Sequence, residues 1–171
     1  MVNALLDYGY YFQHSGWKDN GTHNAVAEPA KYLEDEDVDD AFSGLEEYTL
    51  TKEFGQSGIE DVRITLTLNS RTALKIYVKL ADGVSMASGG YQMSTVNGDQ
   101  YYVFTISNIG PRNLGKTYTL TLETNRGSAT VSASAMYYVN ALMNSYTLNA
   151  QQLRAMSAYY NYYMAAFNYN R

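Results

Sequence analysis

The chain has 171 residues, 46% of them apolar and only 2 of them proline, so it is long enough and apolar enough to bury a core of its own. Its 12 Lys and Arg stand against 17 Asp and Glu, a net charge of −5 that leaves no basic surface for tracking phosphates and makes nucleic acid an unexpected partner. With 0 Cys and 2 His, disulfides, thiolate nucleophiles and thiolate metal sites are excluded, and no apolar run approaches the roughly 18 residues of a membrane span.

In chain order, Val2, Leu5, Leu6, Gly9 and Phe12 recur at threes and fours, which predicts a helix over 2–14 with that stripe buried. His14-Ser15-Gly16 ends it. Residues 15–47 turn polar, with an Asn20-Gly21 turn, Pro29 as a breaker and the acidic run Glu34-Asp35-Glu36-Asp37-Val38-Asp39-Asp40. The expectation is a long loop with about one helical turn.

From residue 48 the period becomes two. Ile64, Leu66 and Leu68 alternate with Thr65 and Thr67, and Leu74, Ile76, Val78 and Leu80 alternate with Lys75, Tyr77 and Lys79, as half-buried antiparallel strands do. Asn69-Ser70-Arg71 and Ala81-Asp82-Gly83 punctuate these runs, and Asn97-Gly98 between Tyr91–Val96 and Gln100–Ser107 is a strong two-residue hairpin signal. Lys116–Glu123 and Ser128–Ser134 form a further pair around Asn125-Arg126-Gly127. Six or seven short strands over 48–134 imply a sandwich.

Residues 135–169 return to helical spacing. Met136, Val139, Leu142 and Met143 share one face, and after Asn149 the stripe Leu153, Met156, Tyr160, Tyr163 and Phe167 predicts a second helix whose partner is the N-terminal helix. Tyr159, Tyr162 and Tyr169 lie off that stripe, toward solvent or a neighbouring module. The fold class expected is α+β: one module over 1–171, an antiparallel β-sandwich flanked by an N-terminal helix and a C-terminal helical hairpin.

The segments Leu5-Leu6-Asp7-Tyr8-Gly9-Tyr10-Tyr11-Phe12-Gln13, Tyr77-Val78-Lys79-Leu80-Ala81-Asp82-Gly83-Val84, Asp99-Gln100-Tyr101-Tyr102-Val103 and Ala158-Tyr159-Tyr160-Asn161-Tyr162-Tyr163-Met164-Ala165-Ala166-Phe167 carry a resemblance. Together they resemble a helix-framed sandwich module of large secreted, cell-surface proteins of gut Firmicutes. The resemblance implies an extracellular location beside leucine-rich, immunoglobulin-like, carbohydrate-active or dockerin modules. Its motifs are architectural and carry over no catalytic or binding residue.

Asp35, Asp37, Asp39, Ser43 and Glu46 follow most of an EF-hand ligand spacing, but Asp40 stands where the loop needs Gly, so a solvated acidic loop is the reading preferred over a calcium site. His14, Asp19 and His23 are treated as surface residues. No Gly-x-Ser-x-Gly elbow or phosphate-cradling glycine loop is present, and the carboxylates cluster in the acidic run and Glu46-Glu47 with almost none on the strands, so the chain is read as non-enzymatic, with no catalytic residue, metal or cofactor assigned. The aromatic residues remain. Strand parity turns Tyr77, Tyr101 and Tyr91 outward as a stacking platform, with Trp17 as a further ligand contact, and the partner expected is a polysaccharide or glycan. The alternative is a structural spacer whose partners are neighbouring modules of the parent protein.

Overall fold

The computed structural model describes residues 1–17, 24–68 and 72–169. The Asn20-Gly21 and Asn69-Ser70-Arg71 turns, Asp19 and His23 lie outside these residues. The class is α+β, with seven strands in two antiparallel sheets, a helix at the N-terminal end of the chain and helices at the C-terminal end. Two compact units make up the chain, a helical one (1–48, 111–115 and 139–171) and a sheet one (49–110 and 116–138).

The sheet unit is the sandwich. β1 (Thr51–Glu53), β7 (Gly127–Ala133) and β6 (Tyr118–Thr124) form one sheet in that order; β2 (Ile59–Leu68), β3 (Thr72–Leu80), β5 (Asp99–Ile109) and β4 (Tyr91–Val96) form the other. Their facing sides interlock Val62, Ile76, Val78 and Phe104 with Leu122, Ala129 and Val131, the residues picked out by the period of two. The β4–β5 hairpin turns at Asn97 and Gly98, whose φ values of 54° and 91° are the left-handed pair that a two-residue turn with the sheet's own twist requires.

The helical unit contains α1 (Val2–His14), α2 (Asp35–Leu45), a 3-10 turn (Pro111–Asn113) and α4 (Ala150–Asn168); α3 (Ala135–Met143) precedes α4 in the chain. The acidic run is therefore a helix where a loop is expected over 15–47. Val38, Ala41 and Leu45 form its buried stripe, hidden in the sequence among carboxylates. Asp35, Glu36 and Asp37 occupy the first turn, where negative charge meets the exposed N–H groups, and Asp37 accepts the Glu34 N–H at 2.8 Å. Helical backbone over 35–45 also rules out an EF-hand loop there.

α4 packs against α1, as expected, but also against α2 and the 3-10 turn. Its buried set is accordingly broader than one stripe: Ala155, Met156, Ala158, Tyr159, Tyr163 and Ala166. Tyr159, expected outside, is buried because Ala155 and Ala158 are small enough to bring α1 close, and Tyr8 meets Tyr159 ring to ring at 4.9 Å. Tyr160, expected in the core, is only half-buried. On α1 the stripe is likewise rotated: Tyr8 and Tyr11 face α4, while Val2, Leu5 and Leu6 stay 66%, 46% and 47% exposed.

Candidate functional site

The three sheet tyrosines proposed from the sequence do not share one surface. Tyr77 and Tyr101 do share the outer face of the four-stranded sheet, with ring centres 6.2 Å apart, edge to face. Tyr101 nevertheless has no exposed surface. Neighbouring side chains of the sheet unit clad it: the Arg63 guanidinium sits 5.1 Å from its ring centre, and its hydroxyl donates to Asp61 at 3.2 Å. Tyr91 is on the opposite face, since it pairs with Phe104 and meets Tyr102 at 4.8 Å and Phe104 at 5.9 Å. The hairpin turn itself dictates this, because placing Val96 opposite Asp99 counts back to Tyr91 opposite Phe104. Trp17 belongs to the helical unit, half-buried, 5.7 Å from Phe12 and packed on the cluster around Tyr11 and Ala158. No flat outward platform is formed by the three sheet rings.

Within the helical unit lies a different concavity, a cleft of about 270 Å³ lined by Tyr10, Tyr11, His14, Tyr32, Leu33, Glu34, Gln151 and Arg154. α1 supplies Tyr10, Tyr11 and His14; Tyr10 and His14 stand one turn apart on the same face, and Tyr11 lines the cleft from the adjoining one. Tyr10 and His14 stack at 4.2 Å, and the His14 Nδ1–H can donate to the Tyr10 carbonyl 2.8 Å away, closing the end of the helix. Tyr11 meets Tyr10 edge-on at 5.5 Å, and Tyr32 does so at 5.9 Å.

The floor is held by Leu33. Its N–H donates to the Tyr11 hydroxyl at 2.6 Å, and its carbonyl accepts the Arg154 Nε–H at 2.9 Å, so α1 and α4 together clamp one residue of the 24–34 segment. Arg154 also places Nη2 3.0 Å from Asp35, whose side chain is 96% exposed. Gln13 fixes the same segment further back, donating to the Asn24 carbonyl at 2.9 Å and accepting the Val26 N–H at 3.1 Å.

Two of the phenols are held in their neutral form. Burial pushes Tyr11 up, against the lowering effects of the Leu33 hydrogen bond and the Arg154 charge. Tyr32 is pushed well up by hydrogen bonding with Tyr10 and with the Glu28 carboxylate. The result is a wall of uncharged tyrosine rings, 44% of Tyr32 remaining open to solvent, beside the exposed side chains of Glu34 and Gln151. Such a wall stacks on flat or C–H-rich ligands while its rim exchanges hydrogen bonds.

Residues 15–47 carry few periodic cues, and the cleft's residues come from 10–14, 32–34 and 151–154, so no single motif marks it. The one cue in the sequence is the tyrosine density of the two ends of the chain. Among the described residues no group of three His, Cys, Asp or Glu is placed to hold a metal ion, and no helix is long and apolar enough to cross a membrane. Comparison with protein families, curated proteins and solved structures finds no match for this chain.

Proposed function

We propose that this chain is a non-catalytic extracellular module of a bacterial surface protein and that it binds carbohydrate in the tyrosine-lined cleft of its helical unit. The observation that carries the reading is the cleft itself: an exposed Tyr32 ring with Tyr10 and Tyr11 beside it, and Glu34 and Gln151 at the rim. Cavities of about 150 Å³ hold benzene. A space of about 270 Å³ therefore accommodates one pyranose ring, its C–H face on tyrosine and its hydroxyls on the polar rim. The resemblance of the tyrosine-rich segments to gut Firmicutes surface modules supports the location and the company of the module.

A glycan array and an insoluble-polysaccharide pull-down test this, with Tyr32→Ala as the site variant and Tyr77→Ala, on the sheet face, as the control. Binding that is lost in the first and kept in the second supports the cleft. Loss in the second alone would return the site to the sheet, and no binding to a broad panel would remove the reading.

The spacer reading keeps one specific observation in its favour: Val2, Leu5 and Leu6 present an exposed apolar stripe on α1. It predicts that Leu5→Glu with Leu6→Glu leaves the melting temperature of the isolated chain unchanged and lowers it in a longer stretch of the parent polypeptide.

A further inference from the structure

We infer that the sugar taken by the cleft carries a free, protonated amine, so that the ligand class is a glycan containing unacetylated hexosamine. The inference rests on the carbohydrate reading of the same cleft and narrows it.

Charge is divided unequally between the two units. Among the described residues the helical unit holds ten Asp and Glu against three Lys and Arg, while the sheet unit holds six of each. The net negative charge of the protein therefore surrounds the unit that contains the cleft, and it raises the local concentration of cations there. Anionic sugars, the uronates and sulfated glycans, meet repulsion instead.

The cleft's own groups point the same way. Arg154, a cation in the lining, is already used: its side chain is 23% exposed, its Nε is on the Leu33 carbonyl and its Nη2 is on Asp35. Its charge is thereby offset by Asp35, which weakens its pull on a sugar carboxylate. Glu34 lines the cleft without an ion-pair partner among the described residues, its carboxylate also accepting the Asp37 backbone N–H as the cap of α2, and Glu28 reaches the Tyr32 phenol. A ring seated on Tyr32 thus lies beside two carboxylates, Glu34 and Glu28, either of which can meet the amine of a hexosamine. Tyrosine faces also attract a cation, which adds to the preference without adding a charge.

Chitosan oligosaccharides, their fully N-acetylated counterparts and an oligolysine of matching charge are the probes, measured by calorimetry at low and at physiological salt. The free amine should bind roughly fivefold to tenfold more tightly than the acetylated sugar at low salt, the gain of one or two exposed charge contacts, and the gap should shrink as salt rises. Glu28→Gln with Glu34→Gln should remove most of that gap. Asp39→Asn with Asp40→Asn, which deletes the same charge on α2 away from the cleft lining, should leave it. Tyr32→Ala should abolish binding of both sugars. Equal affinity for the two sugars would overturn the amine and leave the carbohydrate reading standing, whereas failure of both sugars to bind would remove that reading itself. Oligolysine binding as tightly as chitosan, or equal effects of the two double variants, would show general charge attraction and overturn the inference.

Discussion

The Arg63 guanidinium lies over the ring of Tyr101 and its Nε donates to Asp61 at 2.8 Å, the carboxylate that also accepts the Tyr101 hydroxyl at 3.2 Å. Three side chains on the outer face of one sheet thereby close on one another. A tyrosine on a wet face becomes, through its neighbours, a fully covered one, and this is why it stabilises the sheet and has no surface to offer a ligand.

Tyr101→Ala should accordingly lower the melting temperature, by roughly 5 to 15 °C on the usual cost of deleting a covered aromatic ring. Tyr101→Phe keeps the ring under Arg63 and should melt within a few degrees of the parent. Thermal unfolding followed by circular dichroism decides it: if the alanine variant melts like the parent, the ring is not a structural element.

The same cluster predicts a feature of the acid limb. Burial would raise the Asp61 carboxyl, but the hydrogen bonds from Arg63 and Tyr101 and the charges of Arg63 and Lys52 outweigh it, and the net shift is downward from 3.8. A carboxyl lowered on folding contributes stability that is present above its ordinary value and is lost as pH falls through its lower folded value. Unfolding free energies measured from pH 5 downward should therefore fall less steeply below about 4 in Asp61→Asn than in the parent. Parallel curves for the two proteins would show that Asp61 makes no such contribution.

Gly115 marks a close approach inside the helical unit. A Cβ there would stand 2.6 Å from Tyr163 Cζ and 3.0 Å from Tyr48 Cε1, between two rings whose hydroxyls are bonded at 3.1 Å. Because Tyr163 is buried, Gly115→Ala should cost about 1–3 kcal/mol in urea unfolding. At Gly44 the nearest atoms to an added Cβ belong to the tip of Tyr160, which is only half-buried, so Gly44→Ala should cost less. Reversal of that order would mean that the Tyr48–Tyr163 pair yields more easily than its burial implies.

At the start of α4, Asn149 accepts the Gln152 N–H at 2.9 Å and Gln152 Oε1 accepts the Asn149 N–H at 3.0 Å, a reciprocal cap. Asn149→Ala should destabilise the protein by about 1 kcal/mol, and Asn149→Asp by little, since aspartate caps equally well. Urea midpoints for the two variants check this, and identical midpoints would show that the cap contributes nothing beyond the tertiary packing of α4.

Strand positions were legible because alternation is a local property. Ile76, Val78, Phe104 and Leu122 are buried as their spacing implies, and Asn97-Gly98 turns the chain where its dipeptide chemistry says it should. The α2 helix was not legible, since Val38, Ala41, Phe42 and Leu45 are only four apolar positions in eleven residues and carboxylates fill most of the rest. The cleft escaped for a different reason: Tyr10, Tyr32 and Arg154 are far apart in the chain, and nothing in their spacing announces that α1 and α4 clamp Leu33 between them.

Periodicity and turn residues settle the strands and the helices at the two ends of the chain, though not α2, because each depends on groups within a few residues of one another. Which face of an element is covered is a matter of its neighbours. Tyr91 falls on the inner face because of its partner Phe104, Tyr159 is buried because Ala155 and Ala158 admit α1, and Tyr101 is hidden by Arg63. Burial is set by contacts between residues distant in sequence, and a tyrosine, apolar on its faces and polar at its tip, fits either side until those contacts form.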